Sequence, residues 1–368
     1  MSTATTTTNP VAALFAWLWF QILTFVHSGW MFVPWVRPHW HLENMADQRD
    51  RVVVITGGNS GTGYATASAY YTRGARVLLL CRSAERAATA VADLKRGGVA
   101  NVLSQMEYSP VDDKHAGTVE YIPCDLGDLH SVHEAARMIA ERVDRVDVLF
   151  ANAGVLGMSG HTKQGYPLQF GTNVLGHQRL ISLLLPLLRK PRPRPARVIS
   201  IASAAHITAP PGGVDYAALD KGATRDALLE YGESKWGNVA LAKYVHAHYG
   251  PTCEDGVCSV PAPGEIFSIA VHPGIVSTNL FMHFQTAKWL SHTLTWALKL
   301  VMSTASIGSL NQIWAAEVAD SAARELSGGY VWCFQERGIE RADLVGAAGA
   351  QAGDKLWTWC EAQAARQE

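Results

Sequence analysis

Two hydrophobic patterns divide the chain, and the longer one begins at Arg51. From there, short runs rich in β-branched residues alternate with longer amphipathic stretches, as expected for buried parallel strands separated by helices. The pattern predicts strands at 51–56, 76–81, 119–123, 147–151, 196–202, 267–271 and 329–333. It predicts helices at 61–73, 83–96, 129–142, 168–189 and 230–249. This alternation indicates the α/β class: one doubly wound parallel sheet of about seven strands with helices on both faces.

The shorter pattern is an uncharged apolar stretch at the N-terminus. Residues 1–36 contain no Lys, Arg, Asp or Glu, and 20 of the 26 residues in 11–36 are hydrophobic. A helix over 11–33 would be about 34 Å long, enough to cross a bilayer core of roughly 30 Å. We therefore expect an N-terminal hydrophobic helix that anchors the protein in membrane lipid. A cleaved signal peptide, and a helix that packs on its own domain or lies in one leaflet, are the alternatives.

The first basic residues follow this stretch, at Arg37, Arg49 and Arg51. Cytoplasmic flanks of membrane segments are enriched in Lys and Arg, so the folded part is expected to face the cytoplasm. The membrane is expected to be the endoplasmic reticulum or another internal membrane. We divide the chain into an anchor segment with its linker, 1–45, and one folded domain, 46–368.

Charge and cysteine content narrow the classes of function. The chain has 31 basic and 32 acidic side chains, a formal net charge of −1, so no basic excess indicates nucleic acid as a partner. Its six cysteines are scattered, without C-x-x-C or a Cys/His cluster at zinc-ligand spacing. We therefore expect neither a disulfide framework nor a metal site.

A glycine-rich turn, from Thr56 to Gly63, follows the first predicted strand. It contains Gly57-x-x-x-Gly61-x-Gly63 and leads into the first predicted helix. Glycines there permit a tight turn and close approach of the backbone to a phosphate, and the helix N-terminus supplies N–H groups for the anion. The spacing is neither G-x-G-x-x-G nor a P-loop, so a purely structural turn is the alternative.

A second motif, Tyr231-x-x-x-Lys235, lies on the last of the predicted helices. Residues four apart share one helix face, so the phenol and the ammonium can meet. A cation about 4 Å from a phenolate contributes ~4 kcal/mol at an effective dielectric of about 20, equal to roughly three pK units before desolvation opposes it. Such a pair can act as an acid–base couple, although Tyr and Lys at this spacing are also common surface neighbours.

These residues resemble motifs of the short-chain dehydrogenases/reductases. The glycine-rich turn looks like their coenzyme motif, and Tyr231-x-x-x-Lys235 looks like their active-site motif. Other features stand in the family's order: Asn152-Ala153-Gly154, Asn173, Ser203 in Ser200-Ile201-Ala202-Ser203, and His272-Pro273-Gly274. The resemblance covers about residues 50–335. The run Asn173-Val174-Leu175-Gly176-His177 is similar to the retinol-dehydrogenase and WW-domain-oxidoreductase branch, which includes fungal relatives.

The resemblance implies roles for four catalytic residues. Tyr231 would exchange a proton with the carbonyl or alcohol oxygen, and Lys235 would hold the nicotinamide ribose and lower the pKa of Tyr231. Ser203 would hydrogen-bond the reacting oxygen, and Asn173 would hold a water in the proton relay. Two departures affect neighbouring loops: Ala151 stands where the family often has Asn, and Ser203 and Tyr231 are 28 residues apart.

The resemblance also implies a coenzyme site along the carboxyl ends of the strands. Its residues are Gly57, Asn59, Ser60, Gly61, Thr62, Gly63, Arg82, Asp125, Leu126, Asn152, Ala153, Gly154, Tyr231, Lys235, Pro273, Gly274, Val276 and Thr278. The second predicted strand ends at Arg82, without an acid for the ribose 2′-hydroxyl of NAD, and arginine suits a 2′-phosphate. NADP (as NADPH) is therefore the expected coenzyme and NAD the less favoured one, with a solvated surface arginine as the alternative.

Residues 278–304 resemble the family's substrate lid and are rich in Leu, Phe and Trp. They predict a lipophilic alcohol or carbonyl substrate of retinoid, steroid, fatty or polyketide type, although ordinary helix packing explains the same pattern. The expected activity is therefore NADP(H)-linked oxidoreduction of CH–OH and C=O groups. The competing hypothesis is a non-catalytic NADP(H)-binding scaffold protein, and a homodimer is left open as the assembly.

Overall fold

The computed structural model describes residues 40–97, 102, 116–251, 253–254, 257–258, 262–274, 276, 303–333 and 335–366. The predicted anchor helix, Thr278 and all but the last two residues of the predicted lid lie outside these ranges. Within them, no helix has the length and apolar character needed to cross a bilayer.

The predicted apolar runs form one large sheet. The strands are β1 Val52–Thr56, β2 Arg76–Cys81, β3 Thr118–Pro123, β4 Val148–Ala151, β5 Ala196–Ile201, β6 Cys253–Glu254, β7 Val257–Cys258, β8 Ile266–Val271, β9 Tyr330–Trp332 and β10 Glu336–Arg337. The large sheet has the order β10-β9-β8-β5-β4-β1-β2-β3, and β6 and β7 form a separate hairpin. Its pairs are parallel except for β9 with β10. The seven predicted parallel strands are thus confirmed, and a short antiparallel strand is added at the edge.

Helices cover both faces of the sheet. They are α1 Gly61–Thr72, α2 Ala84–Lys95, α3 Leu129–Arg142, α4 in the consecutive segments Leu168–Phe170, Gly171–Leu175 and Gly176–Leu188, α5 Tyr216–Asp220, α6 Ala227–Tyr249, α7 Ala305–Glu317, α8 Asp320–Leu326 and α9 Gly346–Ala365. The middle segment of α4 is a π-helical turn. The first four helices and α6 follow the predicted pattern, whereas α5, α7, α8 and α9 add to it.

Successive strand residues point to opposite faces and build two cores. Val53 and Ile55 of β1 lie in a cluster with residues of α1, α2 and α7. Their neighbours Val52 and Val54 lie in a second cluster with residues of α3, α4, α6 and α9. Both faces are therefore buried, which explains why the strands read as continuous apolar runs.

The order of the central strands places a crevice at one edge of the sheet. β1 pairs with β2 on one side and with β4 on the other, so the chain changes direction between β1 and β4. In open α/β sheets, ligands bind outside the carboxyl ends of the strands at such a switch point. The glycine-rich turn, Asn152-Ala153-Gly154 and Ser203 all follow strands that end at this edge.

The chain enters the described fold at the same edge. The backbone N–H of Trp40 donates to Oε1 of Gln335, 2.8 Å away, just after β9 ends, and Nε2 of Gln335 donates back to the Trp40 carbonyl at 3.3 Å. Leu42 and Met45 are then almost completely buried against α1 and its neighbours. Residues 40–45 therefore pack against the folded domain.

Candidate active site

The coenzyme turn, Thr56 to Gly63, has the backbone that its glycines predict. Gly57 and Gly61 have φ values of +68° and +57°, in the left-handed region that favours glycine. A Cβ at Gly63 would lie 2.5 Å from the Gly57 carbonyl oxygen, so a side chain there would collide with the turn. Ser60 occupies the N-cap position of α1 with no capping hydrogen bond from its side chain, and Asn59 precedes it. The turn therefore brings main-chain N–H groups and the N-terminus of α1 to one place, as anion binding requires.

Asn152 joins the loop after β4 to the coenzyme turn. Its Nδ2 donates to the Thr56 carbonyl at 2.9 Å, and its Oδ1 accepts from the Thr62 hydroxyl at 2.9 Å. Gln312 of α7 donates to the same Oδ1 at 3.2 Å. The N–H groups of Asn152 and Ala153 both donate to Thr56 Oγ1 at 2.9 Å. These bonds hold the two loops in register on either side of the crevice.

Arg82, Asp125 and Leu126 stand at the carboxyl ends of β2 and β3, where the adenosine end of a dinucleotide would lie. Arg82 is exposed, and no residue in the described ranges forms an ion pair with it. Asp125 is half-buried, and its Oδ1 accepts from the Gly127 N–H at 3.0 Å. Leu126 is buried. The three predicted residues therefore lie at one edge, with the guanidinium group of Arg82 open to a ligand.

Lys235 is the buried cation of the catalytic centre. Its Nζ donates to the Ile201 carbonyl at 2.8 Å and lies 5.5 Å from the centroid of the Tyr231 ring. Asn238, one turn further along α6, donates to the same carbonyl at 2.8 Å. Burial lowers the pKa of Lys235 to about 7, because the charged ammonium is desolvated.

Tyr231 and Ser203 meet at the entrance to this centre. Burial raises the pKa of Tyr231 to about 12, and the hydrogen bond to the Ser203 side chain acts in the opposite direction. The net shift is upward because desolvation of the phenolate outweighs the hydrogen bond to Ser203. The expected lowering of the Tyr231 pKa by Lys235 stays a prediction. The phenol is protonated at neutral pH, as a proton donor must be.

Asn173 lies fully buried in the π-helical turn of α4. Its Oδ1 accepts from the Val155 N–H at 2.8 Å, and its Nδ2 donates to the Val155 carbonyl and to Ser234 Oγ, each at 3.0 Å. A Cβ at Gly154 would lie 3.3 Å from Asn173 Oδ1 and 3.6 Å from Lys235 Nζ. Gly154 therefore connects the coenzyme side of the crevice with the catalytic side.

The loop after β8 supplies the last predicted residues. Pro273 and Gly274 are half-buried, and Gly274 has a φ of +88°. Val276 is buried, and it pairs as an isolated bridge with Ser303. Thr278 lies outside the described residues, so its predicted role stays a prediction.

Contacts with Glu233 of α6 hold the long connection between Ser203 and Tyr231 in place. Glu233 is completely buried, accepts from the Asp215 N–H at 2.7 Å and forms an ion pair with Arg225. Burial raises the pKa of Glu233 to about 7, with Arg225 acting in the opposite direction. The extra residues therefore fold over α6 rather than displacing the catalytic side chains.

Sequence reasoning missed several residues that support the site. Those with direct contacts are Thr56, His177, Ser234, Asn238 and Gln312. His177 had a signal, because it stands four residues after Asn173 on one helix face. Ser234, Asn238 and Gln312 had none, since their contacts depend on how α6 and α7 pack.

Known proteins resemble this chain over most of its length. A family model described as short chain dehydrogenase matches residues 51–226. A short-chain dehydrogenase/reductase of Armillaria gallica is 32% identical over 340 residues, covering 90% of this chain and 96% of the relative. The human dehydrogenase/reductase SDR family member 13 is 31% identical, covering 85% of this chain and 73% of the relative.

Solved structures share the fold. A crystal structure of a Mycobacterium paratuberculosis protein has a TM-score of 0.61 and 25% identity, covering 89% of this chain and 97% of its own. The RhlG/NADP active-site complex of Pseudomonas aeruginosa has a TM-score of 0.53 and 20% identity, covering 78% and 96%. Sequence relatives, fold and motif positions agree, and the chain therefore belongs to the short-chain dehydrogenase/reductase family of oxidoreductases.

Proposed function

We propose that the protein is an NADP(H)-dependent oxidoreductase that interconverts a lipophilic alcohol and the corresponding carbonyl compound. The observation that carries this proposal is the meeting of Ser203, Tyr231 and Lys235 beside Gly154, at the switch point of the sheet. A proton donor, a hydrogen-bond donor for the reacting oxygen and a buried cation then border one crevice. This is the set of groups that oxidoreduction of a carbon–oxygen bond requires.

The residues present fit a dinucleotide. The coenzyme turn leaves no room for a side chain at Gly63, and the N-terminus of α1 is oriented to hold a pyrophosphate. Arg82 would bind the 2′-phosphate, and Asp125 would hold the adenine ring. Lys235 makes one hydrogen bond within the described residues, so its ammonium group retains hydrogens for ribose hydroxyl groups. When bound, the coenzyme supplies the hydride chemistry.

The protein's own contribution is the proton. The pKa of Tyr231, raised to about 12, keeps the phenol protonated at neutral pH, and its position beside Ser203 lets it donate that proton to a carbonyl oxygen. The Ser203 hydroxyl group, hydrogen-bonded to Tyr231, would hold that oxygen in place. Gly154 leaves the space between Asn173 and Lys235 free of a side chain.

Two exposed leucines support a lipophilic substrate. Leu228 and Leu229, at the start of α6, are 51% and 47% exposed, and they precede Tyr231 by three and two residues. Apolar side chains this exposed beside a catalytic residue favour apolar contacts with a ligand. The predicted lid, 278–304, would add to them.

A screen of retinoid, steroid and aliphatic carbonyl compounds, followed by NADPH consumption, tests the proposal. We expect the wild type to consume NADPH with at least one of them, and Ser203→Ala to reduce kcat by roughly tenfold or more. NADPH binding without turnover of any compound would support the scaffold alternative instead. Faster reaction with NADH than with NADPH would contradict the choice of coenzyme.

We also propose that the apolar N-terminal stretch attaches the enzyme to an internal membrane, with the catalytic domain on the cytoplasmic side. The contact of Trp40 with Gln335 supports this orientation, because the chain then joins the domain at the edge that carries the active site. A substrate dissolved in the membrane would have a short path to that edge.

Deletion of residues 1–39 tests the anchor and retains the buried Leu42 and Met45. We expect the shortened protein to be released in soluble, folded form and to bind NADPH. The full-length chain should stay in the pellet after carbonate extraction, whereas a helix lying in one leaflet would largely be removed. Full-length protein that is soluble without detergent would exclude the anchor.

A further inference from the structure

His177 connects the coenzyme turn with the catalytic helix. It lies at the start of the last segment of α4, is 1% exposed, and has both ring nitrogens within hydrogen-bond distance of a partner. Nδ1 is 2.9 Å from the main-chain carbonyl oxygen of Asn173, and Nε2 is 2.9 Å from Thr56 Oγ1. Few side chains reach from one side of the crevice to the other in this way, and the mechanism above does not use it.

The direction of both bonds follows from the partners. A carbonyl oxygen can only accept, so Nδ1 of His177 carries the hydrogen and donates to Asn173. Burial lowers the pKa of His177 to about 4, so the ring is neutral at pH 7 and Nε2 is an acceptor. The Thr56 hydroxyl group then donates to Nε2 at 2.9 Å, the nearer of its two acceptors, since the Phe150 carbonyl oxygen is 3.3 Å away. Its oxygen accepts from the N–H groups of Asn152 and Ala153. Every polar atom in this chain of bonds has a partner.

His177 holds the main-chain carbonyl group of Asn173, the residue that the family resemblance places in the proton relay. The Asn173 side chain is held separately, because its oxygen accepts from Val155 and its two N–H hydrogens go to Val155 and Ser234. The ring of His177 therefore fixes the orientation of the Asn173 carbonyl group, while the side chain is fixed by other bonds.

We propose that His177 is a positioning residue that couples the coenzyme turn to the proton-transfer group, through Thr56 on one side and the Asn173 carbonyl on the other. This inference rests on the proposed function. The first arm is the bond between Nε2 and Thr56, which holds the loops that receive the coenzyme. The second arm is the bond from Nδ1 to the Asn173 carbonyl, which holds the main chain beside Tyr231 and Lys235. The two arms involve different nitrogens, so they can be removed one at a time.

Two conservative substitutions separate the arms. In His177→Asn the amide nitrogen takes the position of Nδ1, keeps the bond to Asn173 and loses the one to Thr56. In His177→Gln the side-chain end reaches the position of Nε2, keeps Thr56 and loses Asn173. We expect His177→Asn mainly to raise the Kd for NADPH, and His177→Gln mainly to lower kcat at saturating NADPH, each by about fivefold to tenfold.

The full-length protein is used, with calorimetry for NADPH affinity and a carbonyl compound from the substrate screen for kcat. His177→Ala, which removes both bonds, is the reference for lost packing, and thermal melting shows which variants are folded. The coupling is supported if His177→Asn mainly raises the Kd for NADPH and His177→Gln mainly lowers kcat. It is overturned if both variants change the two quantities equally. This holds whether the changes match those of His177→Ala or are absent.

Failure of the proposed function gives a different result. If the wild type reduces no carbonyl compound, the catalytic assignment fails, but NADPH affinity still decides the inference. His177→Asn must then bind NADPH more weakly than His177→Gln. Equal affinities, or weaker binding by the Gln variant, contradict a role for the Thr56 arm.

Discussion

The coenzyme turn and the catalytic centre face each other across one crevice, but they are held in different ways. In the coenzyme turn, Thr56 Oγ1 and the Asn152 side chain each make three or more hydrogen bonds, all to this chain. Around Tyr231, three buried polar atoms make no hydrogen bond to the described part of the chain: His206 Nε2, His272 Nδ1 and Tyr330 Oη. On the coenzyme side, Gln312 Oε1 is in the same position.

The two regions therefore differ in how much their hydrogen bonds contribute to the stability of the protein. A hydrogen bond of this kind contributes about 0.5–1.5 kcal/mol, so the bonds within the chain add to the stability of the coenzyme turn, whereas these three atoms add none to the catalytic centre. The displaced pKa values of Tyr231 and Lys235 have the same origin, burial. Changes in the coenzyme turn should therefore affect stability and affinity together, whereas changes in the catalytic centre should affect turnover with little loss of stability.

The largest expected effect separates the regions most clearly. Tyr231→Phe removes the proton donor but keeps the aromatic ring near Lys235 Nζ, so kcat should fall by about 10²- to 10⁴-fold while NADPH affinity stays within roughly twofold. Steady-state kinetics and calorimetry measure the two quantities. Tyr166→Phe is the matched control: it removes a buried hydroxyl that donates to Gln363 of α9 at 2.9 Å, and it should leave kcat unchanged. Near-normal turnover in Tyr231→Phe would refute the catalytic assignment.

The next largest effect concerns the choice between NADPH and NADH, at Arg82 after the carboxyl end of β2. Arg82→Ala should weaken NADPH binding by ~1.5–3 kcal/mol relative to NADH binding, the value of hydrogen bonds to a charged group. The ratio of the two Kd values is the measurement. Arg86→Ala, another exposed arginine four residues further on, is the control and should leave the ratio unchanged. An equal loss for both coenzymes would show that Arg82 does not bind the phosphate.

Hydrophobic patterning was sufficient to predict the coenzyme side. β1, β2 and the start of α1 lie within one residue of the predicted positions, because a strand buried on both faces and a glycine-rich turn each have a local signature. Gly57 followed from the glycine-rich turn, whereas Asn152 was implied by the family resemblance.

The remainder depends on tertiary packing that no local pattern reports. α9, Gly346–Ala365, is rich in Ala and Gly and packs on α6, and this composition gave little hydrophobic periodicity to predict it. The net shift of the Tyr231 pKa could not be predicted, because a motif shows the neighbouring amine but not the degree of burial that opposes it. Likewise, Leu42 and Met45 are buried in the core, but they directly follow a long apolar stretch, so the sequence pattern did not distinguish them as core residues.

A smaller effect tests whether the coenzyme turn is held together by its own bonds. Asn152→Ala removes the donor to the Thr56 carbonyl and the acceptor for Thr62 and Gln312. We expect a loss of ~1–2 kcal/mol in the free energy of unfolding, with a roughly fivefold to tenfold weaker affinity for NADPH. Urea denaturation and calorimetry measure them.

Asn238→Ala makes the corresponding change on the catalytic side. Its Nδ2 donates to the Ile201 carbonyl, but its Oδ1 is buried without a partner, so part of the lost bond is offset by removal of an unsatisfied group. Asn238→Ala should therefore destabilise the protein less than Asn152→Ala and leave NADPH affinity unchanged. A larger loss from Asn238→Ala would invert the comparison between the two regions.

The smallest expected effect is a change in the pH dependence of the free energy of unfolding. Burial lowers the pKa of His177 and His206 to about 4 and that of His272 to about 3, and each regains a value near 6.5 on unfolding. Between these values the unfolded chain binds more protons, so the contribution of these three histidines to the free energy of unfolding is constant above about pH 6.5 and falls below it, by up to ~1.4 kcal/mol per pH unit for each histidine. Glu233, whose pKa burial raises to about 7, acts in the opposite direction below pH 7, so the contribution of each histidine is read from its own substitution.

Single substitutions divide this acid sensitivity between the two regions. His177→Gln and His272→Leu should each flatten the slope by the same amount, since each removes one buried neutral imidazole. They should differ at about pH 7.5, well above the ordinary pKa of histidine. His177→Gln loses its bond to the Asn173 carbonyl and should be the less stable variant, whereas His272→Leu removes a nitrogen that has no partner. Urea denaturation at about pH 7.5 and about pH 5.5 measures both the slope and the offset. Equal stability of the two variants at the higher pH would mean that the hydrogen bonds of the coenzyme turn contribute no more to the free energy of unfolding than the unpartnered groups of the catalytic centre. The two regions would then differ in function but not in stability.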